Sequence, residues 1–199
     1  QGTATMGGIA IMVSAFIGWG AAHLRGGIAL SDQAMIMWAI CGVLSVIGFL
    51  DDYLKVHRAQ NRGIFWKKKG YITFGLVVVM MTWLLLGTGV SETLSFTRFD
   101  FPGWQLSPVL WVVWTSLMVW ATTNAVNVTD GLDGLAAGSA LFGFLAFTVI
   151  AYWAFRNPDI YNLVNPLDLA VFSAAMAGAC GGFLWWNAAP ARIFMGDVG

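Results

Sequence analysis

Charge is what this sequence has least of. Asp, Glu, Lys and Arg make up 10% of its 199 residues, against roughly 25% in an ordinary soluble domain. That scarcity excludes a soluble globular enzyme and a disordered tail. Ten basic residues balance ten acidic ones, so there is no basic surplus for a nucleic-acid backbone, and no nucleic-acid partner is expected. Cysteine is as sparse: Cys41 and Cys180 both fall inside apolar runs and read as small packing residues rather than a disulfide or metal pair. No signal peptide precedes the first apolar stretch. What is abundant is apolar: 58% of residues are hydrophobic, with 11 Trp and 14 Phe. Such an aromatic load suits anchoring at two membrane interfaces, and the class is integral membrane protein.

Six uncharged stretches, 4–24, 34–50, 71–90, 107–128, 134–155 and 169–189, are each about as long as a spanning helix requires. They lack the alternating polarity of barrel strands, so the fold class expected is all-α, with six transmembrane helices. The second run is short, but its helix can continue through Asp51 and Asp52. Between the third and fourth, Pro102-Gly103 among Phe96, Phe99, Phe101 and Trp104 reads as a small β-hairpin near 94–106. Gly134 with Gly138, and Gly178 with Gly182, have the small-xxx-small spacing of close helix approach. The whole of 1–199 reads as a single polytopic membrane domain. Gln1 at one end, and a polar stretch cut off at Gly199 at the other, suggest truncation at both ends.

Six spans in series place the loops alternately on two sides. One side collects Lys55, Arg58, Arg62, Lys67, Lys68, Lys69 and Arg192; the other has only Arg25, Arg98 and Arg156. The positive-inside rule makes the first side cytoplasmic, and the Lys67-Lys68-Lys69 cluster reads as part of that signal rather than as a phosphate site. On the outer side Asp32, Glu92, Asp100, Asp159 and Asp168 are scattered in loops. On the inner side Asp51, Asp52, Asp130, Asp133 and Asp197 all adjoin span ends.

Those inner acids lie in three segments. In Gly48–Lys55 two adjacent carboxylates end a span, and Asp51 and Lys55 share a face if the helix continues. A helix-end ion pair is one reading; a base at membrane depth, raised in pKa by its neighbour, is the other. In Asn124–Gly134, Asp133 is a natural N-cap for the next helix, whereas Asn124, Asn127, Asp130 and Gly131 have no capping role and suit ligand contact. In Asn187–Asp197, Pro190 stops the helix and Asp197 sits between glycines. Together the three would form an oxygen-rich, His-free pocket of the kind that suits Mg²⁺ with substrate phosphates. At the start of the first span, Thr3–Gly8 is either an ordinary helix start or an anion contact.

The stretches TATMGG (3–8), GFLDDYLKV (48–56), NAVNVTDGLDGLA (124–136) and FLWWNAAPARIFMGD (183–197) occur in the order and spacing of one family. The chain closely resembles the bacterial phospho-N-acetylmuramoyl-pentapeptide transferases, within the polyprenyl-phosphate sugar-phosphate transferases. That resemblance implies Mg²⁺-dependent transfer from UDP-N-acetylmuramoyl-pentapeptide to undecaprenyl phosphate, giving lipid I and UMP for peptidoglycan synthesis. The setting would be the cytoplasmic face of the bacterial inner membrane, among membrane lipid. By the same resemblance Asp197 contacts Mg²⁺, Asp51 and Asp52 are the other catalytic acids, and Asp51 activates the lipid phosphate. Lys55 would meet phosphate; Thr5, Asn124, Asn127, Asp130, Gly131, Asp133, Asn187 and Phe194 would bind substrate. A homodimer is a further implication.

Ala4 stands where the family usually has proline, which loosens the helix start without removing a chemical group. The family's upstream lysine, its downstream His-rich loop and four of its ten spans fall outside these residues, so 199 residues alone are expected to be nearly inactive. The alternatives are a related transferase for N-acetylhexosamine phosphate and, in a different class, a transporter of cations or protons. The transporter would need acids at mid-bilayer depth, and it finds no internal repeat to support it.

Overall fold

A computed structural model describes residues 5–57, 66–94, 103–161, 163 and 165–199. Among the described residues six helices are long and apolar enough to cross a membrane: α1 (Gly8–Gly26), α2 (Asp32–His57), α3 (Trp66–Thr88), α4 (Pro108–Thr129), α5 (Leu135–Arg156) and α7 (Pro166–Asn187), with α6 (Pro158–Tyr161) a single turn between the last two. The all-α expectation holds, with shifted boundaries. α2 runs on through Asp51 and Asp52 to His57. α3 begins five residues before the apolar run, which moves Lys69 out of the expected loop and onto a helix.

Local chemistry accounts for the helix ends. α1 stops at Gly27, whose φ of 58° is the left-handed conformation that glycine adopts without a Cβ penalty. α4 starts at Ser107, whose hydroxyl accepts the Leu110 N–H, followed by Pro108 in the first helical position where its missing N–H costs nothing. The hairpin is present as a pair of two-residue antiparallel strands, β1 (Thr93–Leu94) and β2 (Trp104–Gln105), with Thr93 opposite Gln105 and Leu94 opposite Trp104. Its expected turn at Pro102, with Phe96, Phe99 and Phe101, lies outside the described residues.

α7 is the axis of the packing. It shares its most extensive interface with α5 and a second with α1. One cluster joins Ile11, Ala136, Ala137, Cys180 and Phe183 to Met195 of the terminal loop. A second joins Ala15 and Trp19 to Ala34, Trp38, Phe172 and Met176. A third unites α2, α3 and α4 through Ile36, Ile40, Val77, Met81, Leu85 and Trp111. Large side chains such as Leu86, Val109 and Phe142 remain exposed on the outside, as expected where lipid is the solvent.

Of the four glycines expected at close approaches, Gly134 meets the end of α7: a Cβ there would lie 3.4 Å from Leu184 Cδ1 and 3.6 Å from Ala188 Cα. A Cβ added at Gly138, Gly178 or Gly182 would meet nothing within 4 Å among the described residues, whereas at Gly7, Gly8 and Gly48 it would overlap neighbouring atoms. The tightest approaches are to the terminal loop and, at Gly7, to Phe183 of α7.

At the end of the bundle away from the inner acids, Asp168 departs from its expected place in an ordinary loop. It sits in the first turn of α7, fully buried. Its carboxylate accepts Trp19 Nε1 at 2.8 Å, Ser31 N at 2.7 Å and Ser31 Oγ at 2.9 Å, with His23 Nε2 at 3.2 Å. This clasp ties α1 and the start of α2 to α7.

Candidate active site

All three acid-bearing segments and the start of α1 meet at one end of the bundle. The centre is the loop after α7, which is held by backbone and side-chain partners from every side. Gly7 N donates to Phe194 O and Gly8 N to Met195 O, both at 2.9 Å. Gly196 N donates to Asp130 Oδ2 at 2.9 Å and Asp197 N to Asp52 Oδ2 at 2.8 Å. Ser45 Oγ donates to Val198 O at 3.1 Å. Gly196 has a φ of 72°, and a Cβ there would lie 2.7 Å from Asp52 Oδ2, so the position requires glycine twice over.

This cradle presents the Asp197 carboxylate to α2. Asp51 and Asp52 are both buried there, and oxygens of Asp51, Asp52 and Asp197 all lie within 4.8 Å of one another. Lys69 Nζ, from the first turn of α3, reaches Asp197 Oδ2 at 2.5 Å and Asp51 Oδ2 at 3.2 Å. Asn127 Nδ2 donates to Asp197 Oδ1 at 2.5 Å. Among the described residues the donor set is all oxygen, without histidine or cysteine, which is the chemistry of a hard divalent cation. The Lys69 ammonium already bridges two of the three carboxylates. The residues therefore fit Mg²⁺, with Asp197 central among them.

Asp130 lies beside this group. Burial pushes its carboxyl above the ordinary aspartate range, and the charges of Asp197 and Asp52 push the same way. The N–H groups of Gly196 and Met195 oppose the shift. Its second oxygen, Oδ1, is buried without a hydrogen-bond partner among the described residues.

The other expected site residues divide. Asp133 is not the N-cap of α5: that place is taken by Gly134 with φ 75°, and Asp133 Oδ2 instead accepts Ala191 N at 3.0 Å. The turn at Gly134 carries the chain past the position a capping side chain would need. Asn187, 1% exposed, uses both ends of its amide on backbone, accepting from Gly134 N at 3.1 Å and donating to Ile193 O at 2.9 Å. It joins the Asp130–Gly134 turn to the terminal loop. Gly131 and Thr5 are exposed, and Phe194 is partly buried, its backbone carbonyl bonded to Gly7 N. Asn124 is exposed and donates to Trp120 O one turn back at 2.7 Å, a contact within its own helix. The side chain of Lys55 lies outside the described residues.

Lys69 is the residue that sequence reasoning missed. It is the last of three consecutive lysines, a cluster that reads as topological signal. The usable clue was its place one residue before Gly70 and the apolar run from 71: one extra helical turn brings it level with Asp51.

A bundle of membrane-crossing helices that gathers three carboxylates and a lysine at one end defines a multi-pass membrane protein with an acidic cluster at that end. Residues 34–199 match the glycosyl transferase family 4 model, and the chain belongs to that family. Over its whole length it is 41% identical to the phospho-N-acetylmuramoyl-pentapeptide-transferase of Mycobacterium avium (strain 104). Identity is also 41% to the protein of that name from Mycobacterium tuberculosis (strain H37Rv). The chain spans 60% of the length of each of these relatives.

Proposed function

We propose that the full-length protein transfers phospho-N-acetylmuramoyl-pentapeptide from its UDP carrier to undecaprenyl phosphate, yielding lipid I and UMP. The observation that carries this reading is the convergence of Asp51, Asp52 and Asp197 with Lys69 at one end of spanning helices. The names of the relatives supply the donor. The uneven loop charge supports a cytoplasmic site in the bacterial inner membrane, and residues 1–199 are read as part of one polytopic domain.

The reaction exchanges one phosphorus–oxygen bond for another. A phosphate oxygen of the lipid attacks the sugar-linked phosphorus, and the bond to the UMP phosphate breaks, its electron pair leaving with UMP. Two anions must meet, so positioning and charge neutralisation dominate the barrier. A Mg²⁺ held by Asp197 with Asp51 or Asp52 would neutralise pyrophosphate charge. Asp51 takes up the proton of the lipid phosphate where that group arrives protonated. Asp52 holds Asp197 in register through its backbone N–H. Lys69 adds positive charge beside the transferred group. On this reading Asp130, Gly131, Asp133 and Phe194 contact the nucleoside and pyrophosphate, with Thr5 and Asn124 further out, and Lys55 meets phosphate.

The test is a donor comparison with the full-length protein in lipid nanodiscs. UDP-N-acetylmuramoyl-pentapeptide should give UMP and a butanol-extractable lipid product, and UDP-N-acetylglucosamine should give neither. The reverse preference would assign the chain to the N-acetylhexosamine-phosphate branch, and transfer from neither donor would remove the reading.

A further inference from the structure

The Lys69 ammonium stands between two of the three carboxylates that fit a divalent cation, 2.5 Å from Asp197 Oδ2 and 3.2 Å from Asp51 Oδ2. A cation ligated by those oxygens at the short distances Mg²⁺ requires would lie within a few ångströms of Nζ. The two positive charges compete for the same lone pairs and repel each other. We propose that Lys69 is a built-in counter-cation: it holds the carboxylate cluster together in the metal-free protein, is displaced when the divalent cation binds, and then places its ammonium on a diphosphate. This rests on the reading of Asp51, Asp52 and Asp197 as the cation site.

Three features make the exchange mechanical rather than a refolding event. Lys69 sits in the first turn of α3, while Asp51 is on α2 and Asp197 on the terminal loop, so no backbone bond ties the lysine to its partners. Its side chain is about a quarter exposed, whereas those of Asp51 and Asp197 are 4% and 13% exposed. The lysine side chain is therefore freer to move than either carboxylate. Its flexible four-carbon stem and three donors let it turn to a nearby phosphate without moving α3. Asp197 meanwhile keeps its position, because its backbone N–H remains on Asp52 and its other oxygen on Asn127.

The exchange gives a defined linkage between metal and phosphate. Without phosphate, displacing Lys69 leaves an ammonium short of partners, and metal binding is weakened. With a diphosphate present the freed ammonium is paired, so each ligand strengthens the other, as reciprocal coupling demands.

Mn²⁺ binding to the full-length protein in nanodiscs, read by electron paramagnetic resonance with and without UDP, tests this apart from transfer. Lys69→Gln should bind Mn²⁺ alone about 5-fold or more tightly than wild type, a typical coupling factor. Lys69→Arg, which keeps the charge, should show no such gain. UDP should tighten Mn²⁺ binding more in wild type than in Lys69→Gln. Without metal, Lys69→Gln should melt below wild type, and Mn²⁺ should raise its melting temperature by the larger amount. Equal or weaker Mn²⁺ binding by Lys69→Gln overturns the exchange, and absence of Mn²⁺ binding in both proteins overturns it together with the cation site. Absence of transfer by the wild-type protein, with the Mn²⁺ pattern intact, overturns only the substrate reading.

Discussion

The backbone N–H of Asp197 donates to Asp52 Oδ2 at 2.8 Å across 145 residues of sequence, while the neighbouring Asp51 turns an oxygen to Lys69 Nζ at 3.2 Å. Adjacent residues on a helix point about 100° apart, so the Asp51-Asp52 pair divides its work. One carboxylate fixes the terminal loop and the other faces the Lys69 ammonium.

That division predicts different outcomes from two substitutions at Asp52. Asn keeps an oxygen for the Asp197 N–H, whereas Ala leaves that buried donor unpaired, at a cost of about 1–3 kcal/mol. Metal-free thermal unfolding in detergent should place Asp52→Ala below Asp52→Asn by that margin. Equal stability of the two would deny Asp52 its hold on the loop.

Gly48 lies against the Asp197 carbonyl, where an added Cβ would overlap backbone rather than a movable side chain. Gly48→Ala should therefore push the loop off α2, lowering stability by about 1–3 kcal/mol, the usual range for overpacking. It should also lower Mn²⁺ affinity although no ligand is changed. A variant with wild-type unfolding and metal binding would place the loop elsewhere.

Asp130 gives a pH dependence with a definite sign. Burial raises its carboxyl in the folded protein, so between the ordinary aspartate range and that raised value the folded state holds more protons than the unfolded chain. Its contribution to stability is therefore full on the acid side and is lost as pH rises through this window. Asp130→Asn keeps an acceptor for Gly196 N without the charge. Metal-free melting temperatures should show the variant above wild type at neutral pH, with the gap closing towards acid. A gap that widens towards acid would reverse the assignment.

The Asp168 clasp should matter for stability but not for chemistry. Asp168→Ala strips partners from Trp19 Nε1, Ser31 N and Ser31 Oγ, and each orphaned buried donor costs about 1–3 kcal/mol. Nineteen residues of α7 separate it from Asn187, about 28 Å along the helix. Thermal unfolding should fall by several degrees, while turnover per folded molecule in the full-length protein stays near wild type. Loss of turnover without loss of stability would contradict this separation.

The spans were legible because an uncharged run of about twenty residues has few fates outside a membrane, and α2 and α3 exceeded their runs because helices continue into polar sequence. The acids of the site were legible because Asp51, Asp130 and Asp197 adjoin span ends. Roles within the site were harder to read. Nothing local distinguishes Asp52 as a partner of the Asp197 backbone, or Asn187 as the tie between Gly134 and Ile193, because those partners lie far away in sequence. Asp133 looked like an N-cap by position, and only the left-handed Gly134 shows why it is not. Lys69 was hidden by two lysines beside it, and Asp168 by its apparent place in a loop.

The claim that Asp197 anchors a catalytic cation is tested most directly by following UMP release from the full-length protein across a Mg²⁺ titration. The substrates would be UDP-N-acetylmuramoyl-pentapeptide and undecaprenyl phosphate, with wild type and Asp197→Asn compared. Wild type should show saturable Mg²⁺ dependence, and the variant should lose turnover by orders of magnitude that added Mg²⁺ does not restore. Unchanged turnover in Asp197→Asn, or full wild-type activity in the presence of a chelator, would contradict the account.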